Sequence, residues 1–82
     1  MKNNKYKILL IEDEGNIRTV IATLLETSDY QVIQAETCSM ARTMFASYQP
    51  DVVVLDLGLP DADGMSFLEF VREEEQSLTP II

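Results

Sequence analysis

The stretch DVVVLDLGLPDADG, residues 51–64, places Asp56 directly after the apolar run Val52–Leu55. Such a run is typical of a strand buried on both faces. A carboxylate where a buried strand leaves the core is costly unless a cation or hydrogen bonds compensate its charge. Glu12 and Asp13 follow the first apolar run of the chain in the same way. Two strand ends therefore supply three carboxylates that could act together.

Three carboxylates within a few ångströms of one another repel. At an effective dielectric constant of about 20, two unit charges about 4 Å apart cost roughly 4 kcal/mol. A divalent cation removes this cost, and a few oxygen ligands with room for a phosphate suit Mg²⁺ better than Ca²⁺. The cation would let an anionic phosphoryl donor approach Asp56, whose carboxylate would be the nucleophile and carry an acyl phosphate.

Strands and helices alternate along the whole chain. The apolar spacing predicts, in order, a strand over 6–11, a helix over 16–27, a strand over 30–35, a helix capped by Thr37 and stopped by Gln49-Pro50, a strand over 51–56, a helix over 64–75, and the first residues of a strand at 80–82. This alternation predicts an α/β fold with a parallel sheet and right-handed crossovers.

The predicted strand order explains why the carboxylates should meet. In a flavodoxin-like, doubly wound parallel sheet of order 2-1-3, continued by strands 4 and 5, the ligand crevice lies beyond the carboxyl ends of strands one and three. The chain would contain the first three βα units and the start of strand four. We therefore expect residues 1–82 to be the N-terminal part of a single domain, with any effector domain outside them.

Each predicted helix has an apolar stripe that should face the core. The stripe residues are Ile17, Val20, Ile21, Leu24 and Leu25 in the first helix, Ala41, Met44, Phe45 and Tyr48 in the second, and Phe67, Leu68 and Val71 in the third.

Composition excludes several classes of function. The net charge is −8, from 14 acidic and 6 basic residues, and Lys2, Lys5 and Lys7 account for half of the bases. No basic face is left for nucleic acid. No apolar run is long enough to span a membrane and no signal peptide is present, so we expect a cytoplasmic protein. With one cysteine, Cys38, and no histidine, an internal disulfide or a zinc cluster is excluded.

The segments ILLIEDE (8–14) and VVVLDLGLPDADG (52–64) resemble the receiver domain of two-component response regulators. Asp56, Pro60 and Gly64 fit the family signature D-x-x-x-P-x-x-x-G, and the resemblance covers essentially the whole chain. It implies a phosphorylation-switched signalling domain rather than an enzyme. DLGLPDADG is most similar to receivers joined to winged-helix DNA-binding domains, such as regulators of bacterial potassium-transport operons.

The resemblance also implies roles for individual residues. Asp56 would be the phosphoacceptor and a metal ligand. Asp13 would bind Mg²⁺ directly, Glu12 would bind it through water, and the backbone carbonyl of Gly58 would be a further ligand. The phosphoryl group would come from a phosphohistidine on a sensor histidine kinase. DNA would be bound by the effector domain and not by these residues.

Two features of the family have no match in these residues. Complete receivers carry a Ser or Thr at the end of strand four and a Lys at the end of strand five. Thr79 precedes the predicted fourth strand, and the lysines are all N-terminal. Complete receivers also have two more strands, without which the third strand would have an unprotected edge. We therefore expect that these residues either belong to a longer chain or form a dimer by domain swapping or edge pairing.

Other functions fit the residues less well. A phosphorylation-independent interaction module remains the main alternative. A Mg²⁺-dependent phosphatase of the haloacid-dehalogenase type would need an Asp where Gly58 stands. A dinucleotide site would need a glycine-rich turn instead of EDEGN. A calcium loop containing Asp61, Asp63 and Gly64 would have Leu59 at its first ligand position and Phe70 at its last.

Overall fold

A computed structural model describes residues 6–55, 64–75 and 77–82 of the chain. Its elements are β1 (Lys7–Ile11), α1 (Gly15–Thr27), β2 (Gln31–Ala35), α2 (Cys38–Tyr48), β3 (Val52–Leu55), α3 (Gly64–Glu69) and a π-helical segment (Phe70–Glu74). The predicted alternation of strands and helices is confirmed. Within these three ranges, none of the helices has the length and apolar character needed to cross a membrane.

The three strands form a parallel sheet of order β2-β1-β3, as predicted. β1 is the central strand, and its last four residues are buried. β2 is an outer strand of the described sheet, and its two buried residues, Ile33 and Ala35, lie on either side of the exposed Gln34. The uninterrupted apolar run of β1 thus reflects burial on both faces of the sheet, whereas the mixed pattern of β2 reflects burial on one face.

Residues 80–82 extend the sheet beyond β3. Val53 forms a parallel bridge with Ile81. The Val53 N–H donates to the carbonyl of Pro80 at 2.9 Å, and the Ile82 N–H donates to the carbonyl of Val53 at 2.8 Å. The start of a fourth strand is confirmed, and the expectation that β3 has an unpaired outer edge is wrong at these positions.

The main core lies between the sheet and the helices α2 and α3. Its members are buried side chains from all three strands, from both helices and from the π-helical turn: Leu9, Ile11, Ile33, Ala35, Cys38, Ala41, Phe45, Val53, Leu55, Phe67 and Val71. The predicted stripes of the second and third helices are confirmed at Ala41, Phe45, Phe67 and Val71 and are half-buried at Met44 and Leu68. Tyr48 is 46% exposed, because it lies at the end of α2.

The opposite face of the sheet is covered less completely. α1 lies over β1 and β2, and Ala22 is its buried residue. Of the predicted stripe, Ile21 and Leu25 are half-buried, whereas Ile17, Val20 and Leu24 are 48%, 58% and 64% exposed. The prediction that the whole stripe faces the core is therefore wrong.

β3 is also open on this face. Val52 and Val54 are half-buried, and with Tyr6, Ile8, Leu25 and Tyr30 they line an open apolar cavity of about 500 Å³. The prediction that β3 is buried on both faces is wrong on this face of the sheet, because α1 covers the neighbouring strands β1 and β2 instead.

The third helix changes type along its length. The α-helical part ends at Glu69, and the next turn is π-helical, closed by the Glu75 N–H bond to the carbonyl of Phe70 at 3.0 Å. The ring of Phe70 makes an edge contact with Phe45 at a centroid distance of 6.2 Å. The guanidinium of Arg42 lies 5.5 Å from the Phe70 ring centroid. Packing against α2 thus accompanies the wider turn.

Gln49 ends α2 in a left-handed conformation with a φ of 49°. A residue with a Cβ is disfavoured there by about 1–2 kcal/mol relative to the right-handed region, whereas glycine is not. We expect Gln49→Gly to raise the free energy of unfolding by about 0.5–1 kcal/mol, measured by urea denaturation. Gln34→Gly, in the extended backbone of β2, is the control and should lower it by a similar amount. A loss of stability in Gln49→Gly would contradict the prediction.

Candidate functional site

The sheet brings together the two strand ends that carry the predicted site. Ile11 pairs with Leu55 across the β1–β3 ladder, and neighbouring strands lie about 4.8 Å apart. The strand end that leads into Glu12 therefore lies beside the strand end that leads into Asp56. Asp56 and Gly58 themselves lie outside the described residues.

Glu12 is half-buried and held by contacts on three sides. Its N–H donates to the carbonyl of Ala35 at 3.1 Å, which joins it to the end of β2. Its carbonyl accepts a bond from the Arg18 guanidinium at 2.9 Å. Its Oε2 accepts the Glu14 N–H at 3.3 Å. The predicted water-mediated ligand thus has a fixed backbone at the carboxyl edge of the sheet.

Asp13 follows Glu12 and is exposed. An exposed carboxylate beside a half-buried one can bind a cation without first giving up a buried contact. Of the two described residues of the predicted ligand set, Asp13 is therefore the exposed one and Glu12 is half-buried.

Glu14 has a separate role that its sequence pattern alone did not reveal. Its Oε1 accepts the N–H groups of Asn16 and Ile17 at 2.9 and 3.2 Å, so it is the N-cap of α1. An acidic residue directly before an amphipathic run was the available signal. Of the three consecutive acidic residues, Glu14 therefore uses its carboxylate to cap α1. Glu12 and Asp13 remain as the predicted metal ligands.

Arg18 is the second contributor that sequence reasoning missed. It is half-buried in α1, and its guanidinium reaches back to the carbonyl of Glu12. The signal was a basic residue one helical turn after Glu14. Because a guanidinium donates several N–H groups in a rigid plane, this contact fixes the direction of the strand-end carbonyl.

The described donors fit Mg²⁺ in their chemistry. Glu12 and Asp13 offer carboxylate oxygens, which hard cations prefer, and no histidine occurs in the sequence. Within the described ranges, no group of three or more His, Cys, Asp and Glu side chains could hold a metal ion. The other two predicted ligands, Asp56 and Gly58, lie outside those ranges.

Comparison with known proteins decides the family. The response regulator receiver domain family matches residues 8–82. This chain is a member of that family. The prediction made from the acidic doublet and the D-x-x-x-P-x-x-x-G signature is thereby confirmed.

Curated relatives and solved structures agree with this assignment. The KDP operon transcriptional regulatory protein KdpE of Escherichia coli is 42% identical over 76 residues, which are 92% of this chain and 32% of that protein. The non-phosphorylated HemR receiver domain of Leptospira biflexa superposes with a TM-score of 0.86 at 35% identity, covering 94% of this chain and 61% of that one. The response regulator TrrA of Thermotoga maritima, solved with Mg²⁺ and BeF, gives a TM-score of 0.80 at 30% identity, covering 87% and 62%.

The described residues thus form a receiver fold, as predicted. The chain spans about a third of the length of the curated relatives it matches, 32% and 33% for the first two. The activities of those whole proteins therefore bear on this chain only as proposals.

Proposed function

We propose that this receiver domain accepts a phosphoryl group on Asp56 in the presence of Mg²⁺ and thereby switches an effector. The observation that carries the proposal is the pairing of Ile11 with Leu55, which sets the strand end before Glu12 beside the strand end before Asp56. The complex of TrrA with Mg²⁺ and BeF supports the same chemistry. The role is that of a signalling phosphoacceptor rather than an enzyme with turnover.

The residues divide the work at the site. Asp13 binds the metal directly, Glu12 binds it through water, and the Gly58 carbonyl and Asp56 complete the set. Bound Mg²⁺ supplies charge neutralisation between the phosphoryl donor and the acidic site. Asp56 provides the attacking oxygen, and the fixed backbone of Glu12 keeps the acidic pair at the strand edge.

The proposed partners follow from the family. A sensor histidine kinase donates the phosphoryl group, and the cytoplasm is the proposed location of the domain. Residues 1–82 are the N-terminal part of one receiver domain, and the output is transcription control through a DNA-binding effector domain. The proposed output in transcription is supported by the likeness of this chain to a transcriptional regulatory protein at 42% identity. A dimer formed by domain swapping or by edge pairing stays a proposal, and its contact would not be the stretch of β3 that pairs with residues 80–82.

A phosphoryl-donor assay on the full-length chain tests the function. The protein is incubated with acetyl phosphate and Mg²⁺, and its intact mass is measured. Uptake of one phosphoryl group per chain supports the switch. No uptake supports a phosphorylation-independent interaction module, and repeated turnover of phosphoesters supports a phosphatase. The last two outcomes each contradict the proposal.

Thermal unfolding with and without Mg²⁺ tests the role of Asp13. A ligand that binds only the folded state at 100 times its dissociation constant adds about 2.7 kcal/mol. We expect Asp13→Ala to lose this gain, and in metal-free buffer to be at least as stable as the parent because repulsion with its acidic neighbours is relieved.

Glu26→Ala is the matched control for that experiment. It removes one carboxylate from an exposed position near the other end of α1. It should keep the full stabilisation by Mg²⁺. An unchanged Mg²⁺ response in Asp13→Ala would show that Asp13 is not a ligand.

A further inference from the structure

We propose that Arg18 is a positioning residue for the Mg²⁺ site, acting through the backbone carbonyl of Glu12. The inference deepens the proposed function and rests on it. Arg18 donates to that carbonyl at 2.9 Å from a half-buried position in the first turns of α1. Nothing in the motif of the acidic doublet identifies this residue.

The contact lies where the strand becomes a turn. The Glu12 N–H still bonds to Ala35 of β2, whereas its carbonyl accepts from a side chain of α1. Asp13 is the next residue along the chain. The peptide that joins the two predicted ligands is therefore held by Arg18. The orientation of that peptide fixes the relative placement of the backbone atoms from which both carboxylate side chains extend.

The α1 helix makes Arg18 a rigid support. The Arg18 N–H bonds to the carbonyl of Glu14 at 2.8 Å, and the Glu14 carboxylate caps the same helix at Asn16 and Ile17. Arg18 thus links the first turns of α1 back to the end of β1, on the other side of the acidic turn. Partners in the outer shell of a metal site commonly change metal affinity about 10–100-fold when they are removed.

Positioning and plain electrostatics predict opposite results. The guanidinium is a positive charge beside a cation site, so its removal should strengthen Mg²⁺ binding if charge alone matters. If Arg18 fixes the ligands, its removal should weaken binding despite the more negative site. The sign of the change therefore separates a positioning residue from a nearby charge.

The test measures the Mg²⁺ dissociation constant of the full-length chain by following the backbone amide resonances of Glu12 and Asp13 in an NMR titration. Arg18→Met keeps the aliphatic stem and removes the donors, and we expect about tenfold weaker binding. Arg18→Lys keeps a donor on a stem of similar length and should stay within about threefold of the parent. Because the titration reports on folded molecules, a loss of stability alone does not change the constant.

Arg72→Met is the matched control. Arg72 also donates to backbone carbonyls, those of Ser77 and Thr79, both at 2.9 Å. These carbonyls precede the segment that pairs with β3, so they lie at the opposite edge of the sheet. Arg72→Met should bind Mg²⁺ as tightly as the parent.

The outcomes distinguish this inference from the function on which it rests. A parent chain that binds no Mg²⁺ overturns the proposed function. A parent that binds, with Arg18→Met binding equally or more tightly, overturns the role of Arg18 alone. If Arg18→Met does not fold, Arg18→Gln replaces it with the same expected weakening, because the shorter amide does not extend as far as the guanidinium.

Discussion

Asp56→Asn should abolish phosphoryl uptake from acetyl phosphate in the full-length chain, whereas the parent should gain one phosphoryl group. In the parent, a carboxylate oxygen of Asp56 forms a bond to phosphorus, and the bond from phosphorus to the acetyl oxygen breaks to release acetate. The amide of asparagine has nearly the same shape and no anionic oxygen, so it is not a nucleophile. Intact mass measured after incubation with Mg²⁺ gives the result directly.

Asp51→Asn is the control for this substitution. Asp51 precedes β3 at its other end, and its Oδ2 accepts the Lys7 N–H at 2.8 Å. It should keep full phosphoryl uptake and lose some stability, since one hydrogen bond to a charged group is weakened. Uptake by Asp56→Asn equal to that of the parent would place the acceptor elsewhere, and Asp13 would be the first residue to examine.

Phe67→Ala should destabilise the domain severely. Phe67 is fully buried, and its ring contacts Phe45 edge to face at a centroid distance of 6.3 Å and Phe70 at 6.0 Å. Truncation of a buried phenylalanine costs about 3–5 kcal/mol. A domain of this size has a total stability of only about 5–15 kcal/mol. We therefore expect the urea midpoint to fall steeply, with part of the protein unfolded at physiological temperature.

Tyr48→Ala provides the comparison for Phe67. It removes an aromatic side chain of similar size from α2, at a position that is 46% exposed. Its expected cost is below about 1 kcal/mol, because much of the ring is already in contact with water. Equal urea midpoints for the two variants would show that the cluster of the Phe45, Phe67 and Phe70 rings is not part of the stabilising core.

The fold, and the position of Glu12 and Asp13 directly after the central strand, were predictable from local sequence features. Short apolar runs and the 3.6-residue spacing of the helices locate the elements, and the alternation of strands with helices predicts a parallel sheet, whose observed order is β2-β1-β3. That order places Glu12 and Asp13 at the carboxyl edge of the sheet, because every strand of a parallel sheet ends on the same side. Thr37 as the cap of α2 was predictable for a similar reason, since capping depends on neighbours in sequence.

Burial and the supporting contacts required the tertiary structure. The spacing of Ile17, Val20 and Leu24 shows that they share a face of α1, but their exposure depends on which element lies over that face. The same holds for β3, whose half-buried valines line the open cavity. Arg18 meets the Glu12 carbonyl because β1, the acidic turn and α1 take one particular path in space. A sequence pattern specifies which residues belong to an element and which face they share, whereas contacts between elements depend on their distances and orientations in the folded molecule.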